Sequence, residues 1–211
     1  MIILKEVVKS YGSSAVVQVP LFQLDHGIHW LKGINGSGKT TLMKLMAGLL
    51  PFEGDVLLNT SVSIKKNRMQ YLRLVSYAEA EPLYPPFLSG KDLLHLFIKS
   101  KGADKEQAEG LVDILQVNSF INQPAGTYSS GMMKKISLLL AFTGHPKLIL
   151  LDEPLVTIDD NTIPAINRLI HDYHVKHGVT FLLTSHQAFD ATAFPITHKL
   201  LMEDHTIKIL S

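Results

Sequence analysis

The segment GINGSGKT, Gly33–Thr40, lies between a short apolar run and a stretch whose apolar residues repeat at helical spacing. It matches the pattern G-x-x-x-x-G-K-[ST] at every fixed position. In such a loop, glycines let successive backbone N–H groups turn inward and form a concave anion site, and the following helix adds the partial positive charge of its N-terminus. The segment therefore predicts a phosphate-binding loop between a strand and a helix.

The side chains of this loop have distinct predicted roles. Lys39 is expected to reach the β- and γ-phosphates of a bound nucleotide and to assist catalysis, and the Thr40 hydroxyl is expected to be a ligand of Mg²⁺. The residues expected to contact the nucleotide are Gly33, Asn35, Gly36, Ser37, Gly38, Lys39, Thr40 and Thr41.

The residues before the loop predict strands. Three β-rich runs lie within residues 1–31, and turn signals at Gly12 and Gly27 separate them, so we expect antiparallel strands and an N-terminal β subdomain. After the loop, the segments GDVLLN and YLRLVSYA, residues 54–59 and 71–78, again have strand character.

The second half of the chain alternates helices and strands. Amphipathic helical patterns cluster between about 82 and 145, an apolar run at 148–151 is typical of a buried parallel strand, and a helix is expected at about 160–177. Because such alternation builds a mostly parallel sheet covered on both faces, we predict an α/β fold. The helical cluster is expected to be an inserted subdomain within a single domain over residues 1–211.

An acidic pair follows the apolar run directly. In parallel α/β sheets, ligands bind at the carboxyl ends of the strands, which is where Asp152 and Glu153 are expected. Asp152 is predicted to hold Mg²⁺ through water, and Glu153 to polarise or position the attacking water. A solvated strand end is the alternative interpretation of the pair.

A histidine is expected at the same edge of the sheet. Ser185 and His186 follow the next predicted strand, VTFLLT. An imidazole there could donate a hydrogen bond to the γ-phosphate or respond to its loss, so His186 is a candidate catalytic residue.

Composition excludes several classes of protein. The net charge of +1 argues against a broad nucleic-acid interface, so no nucleic acid is expected as a partner. The chain has no cysteine, which excludes disulfides and thiolate metal sites. Its apolar runs are shorter than the ~20 residues that cross a bilayer, and the N-terminal segment does not have the pattern of a signal peptide.

These motifs, in this order, resemble the nucleotide-binding subunits of ABC transporters, and the resemblance covers essentially the whole chain. Gly33–Thr40 is similar to Walker A, Leu148–Glu153 to Walker B, and His186 to the switch histidine. Tyr11 resembles the A-loop aromatic residue that stacks on adenine, although an ordinary strand tyrosine is the alternative. Asp159 lies where the D-loop aspartate of the family falls. The resemblance implies a P-loop NTPase of the ABC ATPase type.

The segment YSSGM, residues 128–132, resembles the family's signature sequence LSGGQ. Ser129 and Gly131 keep the serine and the second glycine, Ser130 is a familiar variant, and the first and last positions depart from the common form. In the family, this element contacts ATP bound by a partner chain in a head-to-tail dimer. The resemblance therefore implies that Ser129, Ser130, Gly131 and Asp159 help to bind nucleotide.

One departure concerns the Q-loop glutamine, which contacts Mg²⁺ in the family and links the site to the membrane partner. Gapless alignment places Ala80 there, between Glu79 and Glu81. Either one of these carboxylates replaces the glutamine, or the link depends on packing alone.

The resemblance implies an ATPase that uses ATP and Mg²⁺ to power a membrane transporter, with an exporter-like character. Its implied partners are integral-membrane subunits and a second nucleotide-binding subunit, in a homodimer or a heterodimer, and its implied location is the cytoplasmic face of the cell membrane. The apolar segment 82–97 is a candidate docking surface, unless its leucines only fill the core of the insert. A soluble ABC-type ATPase in translation, repair or cofactor assembly is the main alternative. A small-molecule kinase would leave residues 128–132 unexplained.

Overall fold

The computed structural model describes residues 1–185, 189 and 192–210. The strands are β1 (Ile2–Tyr11), β2 (Ser14–Leu24), β3 (Ile28–Lys32), β4 (Glu53–Leu58), β5 (Val62–Ser63), β6 (Val75–Ala78), β7 (Leu148–Leu151), β8 (Thr180–Thr184), β9 (His198–Glu203) and β10 (Thr206–Leu210). The helices are α1 (Lys39–Met46), α2 (Arg68–Leu74), α3 (Gly90–Lys101), α4 (Lys105–Ile114), α5 (Ser130–Phe142) and α6 (Ile163–His177), with a 3₁₀ turn at Ala125–Thr127.

The strands form two sheets. The order in the larger sheet is β10-β9-β3-β8-β7-β6, and all neighbours in it pair in parallel except β10 with β9. The smaller sheet, β2-β1-β4-β5, is antiparallel throughout. The predicted α/β fold, with a mostly parallel core sheet and an antiparallel β subdomain near the N-terminus, is therefore confirmed.

Both faces of the larger sheet are covered, as predicted. Ile149 and Leu151 of β7 point into an apolar core shared with α3, α4, α5 and α6. Leu148 and Leu150 point the opposite way, into a second core shared with α1 and the antiparallel sheet. This alternation follows from the two-residue period of a strand, and the double burial explains why β7 is continuously apolar.

The direction predicted for the third strand is wrong. Residues 28–31 were expected to be antiparallel, but β3 pairs in parallel with β8 on one side and with β9 on the other. Ile28, His29, Trp30 and Leu31 are all buried. Burial on both faces is typical of a central parallel strand, and the partners that confer it come from far along the chain.

The predicted strand over residues 71–78 is half helical. Residues 71–74 complete α2, and β6 begins only at Val75. The Tyr71 backbone N–H donates to Asn67 O at 2.9 Å, and its hydroxyl donates to Met46 O at 2.8 Å in the core. This contact fixes α2 against α1 and overrides the β propensity of the segment.

The helices α3, α4 and α5 lie in the range where an insert was predicted. Leu93 of α3 and Leu111 of α4 belong to the same apolar core as Phe181 of the sheet. Within the part of the chain that the structure describes, no helix combines the length and apolar character needed to cross a membrane.

Candidate functional site

The phosphate loop joins β3 to α1, as predicted. Gly36 has φ 79° and Gly38, the N-cap of α1, has φ 103°, so both occupy backbone conformations that glycine adopts without strain. A Cβ atom on Gly38 would lie 2.8 Å from Val16 O, which shows how closely the loop passes β2. Any side chain at this position would push the loop away from the sheet.

Lys39 is buried within the loop. Its Nζ atom donates to Gly33 O at 2.8 Å and to Ile34 O at 2.9 Å. Burial lowers the pKa of the Lys39 ammonium, while the carboxylates of Glu153 and Asp152 act in the opposite direction. The lysine is thus held where its charge faces the acidic pair.

A cavity of about 350 Å³ contains most of the predicted nucleotide-binding residues. Its described lining consists of Val16, Asn35, Gly36, Gly38, Lys39, Thr40, Thr41, Ala80, Glu81, Asp152 and Glu153. Four segments that are far apart in the sequence therefore meet in one cavity: β2 at Val16, the predicted phosphate loop, the segment after β6 and the acidic pair after β7.

Asp152 is held by two hydroxyls that the sequence analysis did not identify. The carboxylate is only 2% exposed. Its Oδ1 accepts a hydrogen bond from Thr184 Oγ1 at 2.5 Å, and its Oδ2 accepts one from the Tyr77 hydroxyl at 3.2 Å. Burial and the Asp152 carboxylate raise the pKa of Tyr77, so this phenol remains a donor. The available signal was that both hydroxyls lie at carboxyl ends of predicted strands.

Glu153 occupies an unusual backbone position. Its φ of 48° is in the left-handed region, which few residues other than glycine adopt. Its backbone N–H donates to Thr184 Oγ1 at 3.0 Å. Because strained backbone is maintained only where the surroundings impose it, this geometry fixes the direction in which Glu153 leaves the strand.

The cavity contains oxygen atoms that are suitable ligands for Mg²⁺. Thr40 supplies an exposed hydroxyl and Asp152 a carboxylate, and both line the same cavity. Mg²⁺ prefers oxygen ligands, and it usually takes one or two from protein while phosphates and water supply the others. The residues present therefore fit the predicted ion.

The described lining of this cavity does not include residues 128–132. Ser129 is the N-cap of α5 and accepts a hydrogen bond from Met132 N at 3.2 Å. Tyr128, which departs from the family's pattern, has a structural role: its hydroxyl accepts from Gly90 N at 2.9 Å and donates to Gln123 O at 2.8 Å. The tyrosine thereby fixes the start of α3 to the start of α5.

Gly131 contacts the segment after the acidic pair. A Cβ atom on this glycine would lie 2.6 Å from Thr157 O. Nearby, Asp159 forms an ion pair with Lys135 at 2.7 Å and accepts hydrogen bonds from Thr162 N and Oγ1 at 3.1 and 2.8 Å. The hydrogen bond from Lys135 is the main reason that the pKa of Asp159 is lowered. Within this chain, the aspartate therefore connects α5 to the start of α6.

Three other predicted residues stand apart from the cavity lining. Tyr11 lies at the end of β1, 52% exposed, with Lys9 Nζ 4.8 Å from its ring centroid. Gly33 and Ser37 belong to the loop, but the described lining of the cavity does not include them. His186 lies outside the described residues.

The two carboxylates beside Ala80 differ in their surroundings. Glu79 forms an ion pair with Lys44 of α1 at 3.0 Å. Glu81 is exposed and lines the 350 Å³ cavity together with Ala80. Of the two, Glu81 is better placed to act on a ligand.

The chain is similar in sequence to known ATP-binding proteins. The sequence model of the family described as ABC transporter matches residues 22–156. The cytochrome c biogenesis ATP-binding export protein CcmA of Legionella pneumophila is 36% identical over 184 residues, which cover 84% of this chain and 88% of that protein. The uncharacterized ABC transporter ATP-binding protein YhcH of Bacillus subtilis is 29% identical over 186 residues, covering 87% of this chain and 61% of that protein.

Solved structures share the fold. The ATP-binding subunit of an ABC transporter has a TM-score of 0.87 at 21% identity and covers 100% of this chain and 90% of that chain. A dimeric ATP-binding cassette in a post-hydrolysis state, bound to ADP and phosphate, has a TM-score of 0.81 at 19% identity and covers 100% of this chain and 99% of that chain.

Proposed function

The chain belongs to the ABC transporter family and is an ATPase, and from this premise we propose that the cavity between its phosphate loop and Asp152 binds and hydrolyses ATP. The observation that carries the proposal is the meeting of Lys39, Thr40, Asp152 and Glu153 in one cavity. Lys39 holds the β- and γ-phosphates, and Tyr11 stacks on the adenine. Thr40 and Asp152 would hold Mg²⁺, which neutralises phosphate charge when it is bound.

Glu153 is the proposed catalytic carboxylate. It follows Asp152 directly, its backbone is fixed by Thr184, and its side chain lines the cavity. A carboxylate beside the γ-phosphate can orient a water molecule for in-line attack, which is the main task that a protein performs in phosphoryl transfer. His186 is proposed to assist at the same edge.

We propose that two cassettes bind ATP head to tail. Ser129 and Ser130 are exposed at the N-terminus of the 13-residue helix α5, whose backbone N–H groups and dipole favour an anion. Because the described lining of this chain's cavity does not include Ser129, Ser130, Gly131 and Asp159, they are assigned to nucleotide held by a second cassette. That cassette is an identical or a related chain.

The docking surface for a membrane subunit is proposed at the helical insert. Leu93 and Leu94 are buried, as expected if the leucines of segment 82–97 fill the core of the insert. Leu83 and Phe87, however, are 89% and 78% exposed. A groove of about 380 Å³, lined in part by Met69, Tyr84 and Phe97, is suited to an amphipathic helix of a membrane partner. Such docking would hold the chain at the inner face of the membrane, and no nucleic-acid partner is proposed.

Export is the proposed direction of transport. It is supported by the similarity to CcmA, which is named as an export protein in cytochrome c biogenesis. The earlier expectation of an exporter-like character points the same way.

The catalytic assignment is tested with Glu153→Gln. This variant should bind ATP, hydrolyse it at least about a hundredfold more slowly, and form a dimer in ATP that sedimentation velocity detects. Glu109→Gln, a change at an exposed position of α4, should hydrolyse ATP at the wild-type rate. A Glu153→Gln protein that remains monomeric in ATP and hydrolyses it normally would refute the assignment.

A further inference from the structure

Lys134 of α5 is a charged side chain that is only 1% exposed. Burying an ammonium group is unfavourable unless hydrogen bonds satisfy it. Its Nζ atom donates to three backbone carbonyls: Glu79 O at 2.6 Å, Asp152 O at 2.6 Å and Ala80 O at 3.4 Å. The three donors of the group therefore match three acceptors.

The three carbonyls belong to two segments that border the nucleotide cavity. Glu79 and Ala80 directly follow β6, and Asp152 directly follows β7. Lys134 extends from the first turns of α5, about 6 Å along the helix axis from Ser130. A single side chain thus connects the start of α5 with two of the four segments that line the cavity.

This connection coincides with the position where the family's glutamine is missing. The Ala80 side chain cannot form a hydrogen bond, but the backbone of that position is bonded to Lys134. The ammonium also holds the Asp152 carbonyl, and that carbonyl is part of the peptide unit that leads to Glu153. Any displacement of α5 along its axis would move these acceptors or break the bonds.

We propose that Lys134 is a positioning residue that makes the placement of Asp152 and Glu153 depend on the position of α5. The inference rests on the proposed function, in which the start of α5 contacts the nucleotide of a second cassette. When Ser129–Gly131 are engaged, α5 is held, and Lys134 keeps the two strand ends in the geometry that hydrolysis needs. Lys134 touches no reacting atom and acts through Asp152 and Glu153.

The chain contains a matched control in Lys101 of α3. Its Nζ atom also donates to backbone carbonyls, Leu72 O at 2.6 Å and Val75 O at 2.5 Å, at the opposite end of β6. Burial lowers the pKa of Lys101 to about 8, as it does for Lys134. Replacing either lysine with methionine removes an ammonium group that donates hydrogen bonds to backbone carbonyls. Only the carbonyls bonded to Lys134 border the nucleotide cavity.

The test compares Lys134→Met, Lys134→Gln and Lys101→Met in the full chain. ATP affinity, kcat, KM and the thermal midpoint are measured for each variant. For Lys134→Met we expect kcat to fall about tenfold or more while the ATP Kd changes less than about threefold. Lys134→Gln keeps two donors and should recover part of kcat. Lys101→Met should lower the thermal midpoint and leave kcat within about twofold of wild type.

A purely structural Lys134 would behave like Lys101, with loss of stability and little change in kcat, and that result would overturn the proposal. If Lys134→Met does not fold, Lys134→Gln decides alone. Its amide has two donors instead of three on a shorter side chain, so kcat should remain below wild type, and a loss of thermal stability with a wild-type kcat overturns the proposal. A second readout combines Lys134→Met with Ser129→Ala. If Ser129 and Lys134 act through the same connection, their effects are not independent. The fold-loss of kcat in the double variant should then be smaller, by about threefold or more, than the product of the fold-losses in the two single variants.

Failure of this inference differs from failure of the proposed function. If Glu153→Gln forms no dimer in ATP and hydrolyses it normally, the proposed function fails whatever Lys134 does. If Glu153→Gln behaves as expected and Lys134→Met keeps kcat, only the role of Lys134 is refuted.

Discussion

The hydroxyl of Thr184 bonds to both acidic residues of the proposed nucleotide site. Its Oγ1 atom donates to Asp152 Oδ1 at 2.5 Å and accepts the backbone N–H of Glu153 at 3.0 Å. The last residue of β8 therefore fixes a carboxylate proposed to hold Mg²⁺ and the backbone of the proposed catalytic glutamate. Such contacts set the geometry of a site without touching its substrate.

The first prediction follows from this bond. Thr184→Val keeps the shape of the side chain but leaves the Asp152 carboxylate and the Glu153 N–H without this partner, at a cost of about 1–3 kcal/mol. We expect kcat to fall by roughly tenfold to a hundredfold, with a smaller change in ATP affinity. Steady-state hydrolysis and nucleotide titration measure both quantities.

Thr184→Ser should recover most of this loss, because it restores the hydroxyl. The matched control is Thr180→Val at the buried start of the same strand, remote from the acidic pair. Equal losses of kcat in Thr184→Val and Thr180→Val would show that the Asp152 contact has no specific role.

The second prediction concerns the missing glutamine. Glu81 lines the nucleotide cavity, whereas the Glu79 carboxylate is paired with Lys44. We therefore expect Glu81→Ala to lower kcat at least about threefold more than Glu79→Ala does. The measurement is hydrolysis by each variant across a range of Mg²⁺ concentrations. A larger loss in Glu79→Ala would assign the role of the glutamine to Glu79.

The third prediction uses the contact between Gly131 and Thr157. Gly131→Ala places a methyl group 2.6 Å from Thr157 O, so one of the two segments has to shift. Because both segments are assigned to the interface between cassettes, we expect the ATP-driven dimer of a Glu153→Gln background to weaken about tenfold. Sedimentation across a range of protein concentrations measures this change.

Gly110 of α4 supplies the control for this substitution. A Cβ atom there meets no other atom within 4 Å. Gly110→Ala should therefore stabilise the fold by roughly 0.5–1 kcal/mol through helix propensity. Dimerisation should be unaffected by that change, and an unaffected dimer in Gly131→Ala as well would contradict the proposed interface.

The fourth prediction concerns stability in acid. His29 of β3 is fully buried, with its ring stacked 5.3 Å from that of His198, and its Nε2 bonds to Asp25 O at 3.1 Å. Burial lowers the pKa of His29 to about 4, the Asp25 carbonyl opposes this shift, and His198, His174 and His26 add to it.

The direction of the pH effect follows from that lowered pKa. Below about pH 6.5 the unfolded chain binds a proton at His29 that the folded chain resists until about pH 4. Stability is therefore lost as the pH falls through this window, by on the order of 3 kcal/mol in total. The free energy of unfolding, measured with urea, should differ less between pH 7 and pH 5 in His29→Gln than in wild type. The same substitution at exposed His95 should leave the difference unchanged.

The sequence predicted those features of the site that consist of residues adjacent in the chain. The phosphate-loop motif, the acidic pair and most helices and strands after Gly33 were recognisable because each depends on local spacing and periodicity, whereas α2 was mistaken for part of a strand. The structure brings most of those residues to one cavity. His186 remains a prediction, because it lies outside the described residues.

The residues that the sequence analysis did not identify all contact a site residue that is distant in the sequence. Thr184, Tyr77 and Lys134 act on Asp152 from 32, 75 and 18 positions away. A position at the carboxyl end of a strand indicates only that a hydroxyl lies near the ligand edge of the sheet and does not identify its partner, and a lysine in an amphipathic helix has no local pattern that distinguishes it from a solvated side chain. The direction of β3 was mistaken for the same reason, since its partners β8 and β9 lie more than 140 residues later.

By itself, then, the sequence determined that this chain has a phosphate-loop motif, an acidic pair and the segment YSSGM. These features are recognisable because neighbouring residues encode the backbone conformation and the charge there. Only the tertiary structure decided that Thr184 and Tyr77 hold Asp152, that Glu81 and not Glu79 lines the nucleotide cavity, and that Lys134 connects α5 to both strand ends. Those relationships arise from strand order and helix packing. Burial then requires each polar group to find a partner wherever the fold has placed one.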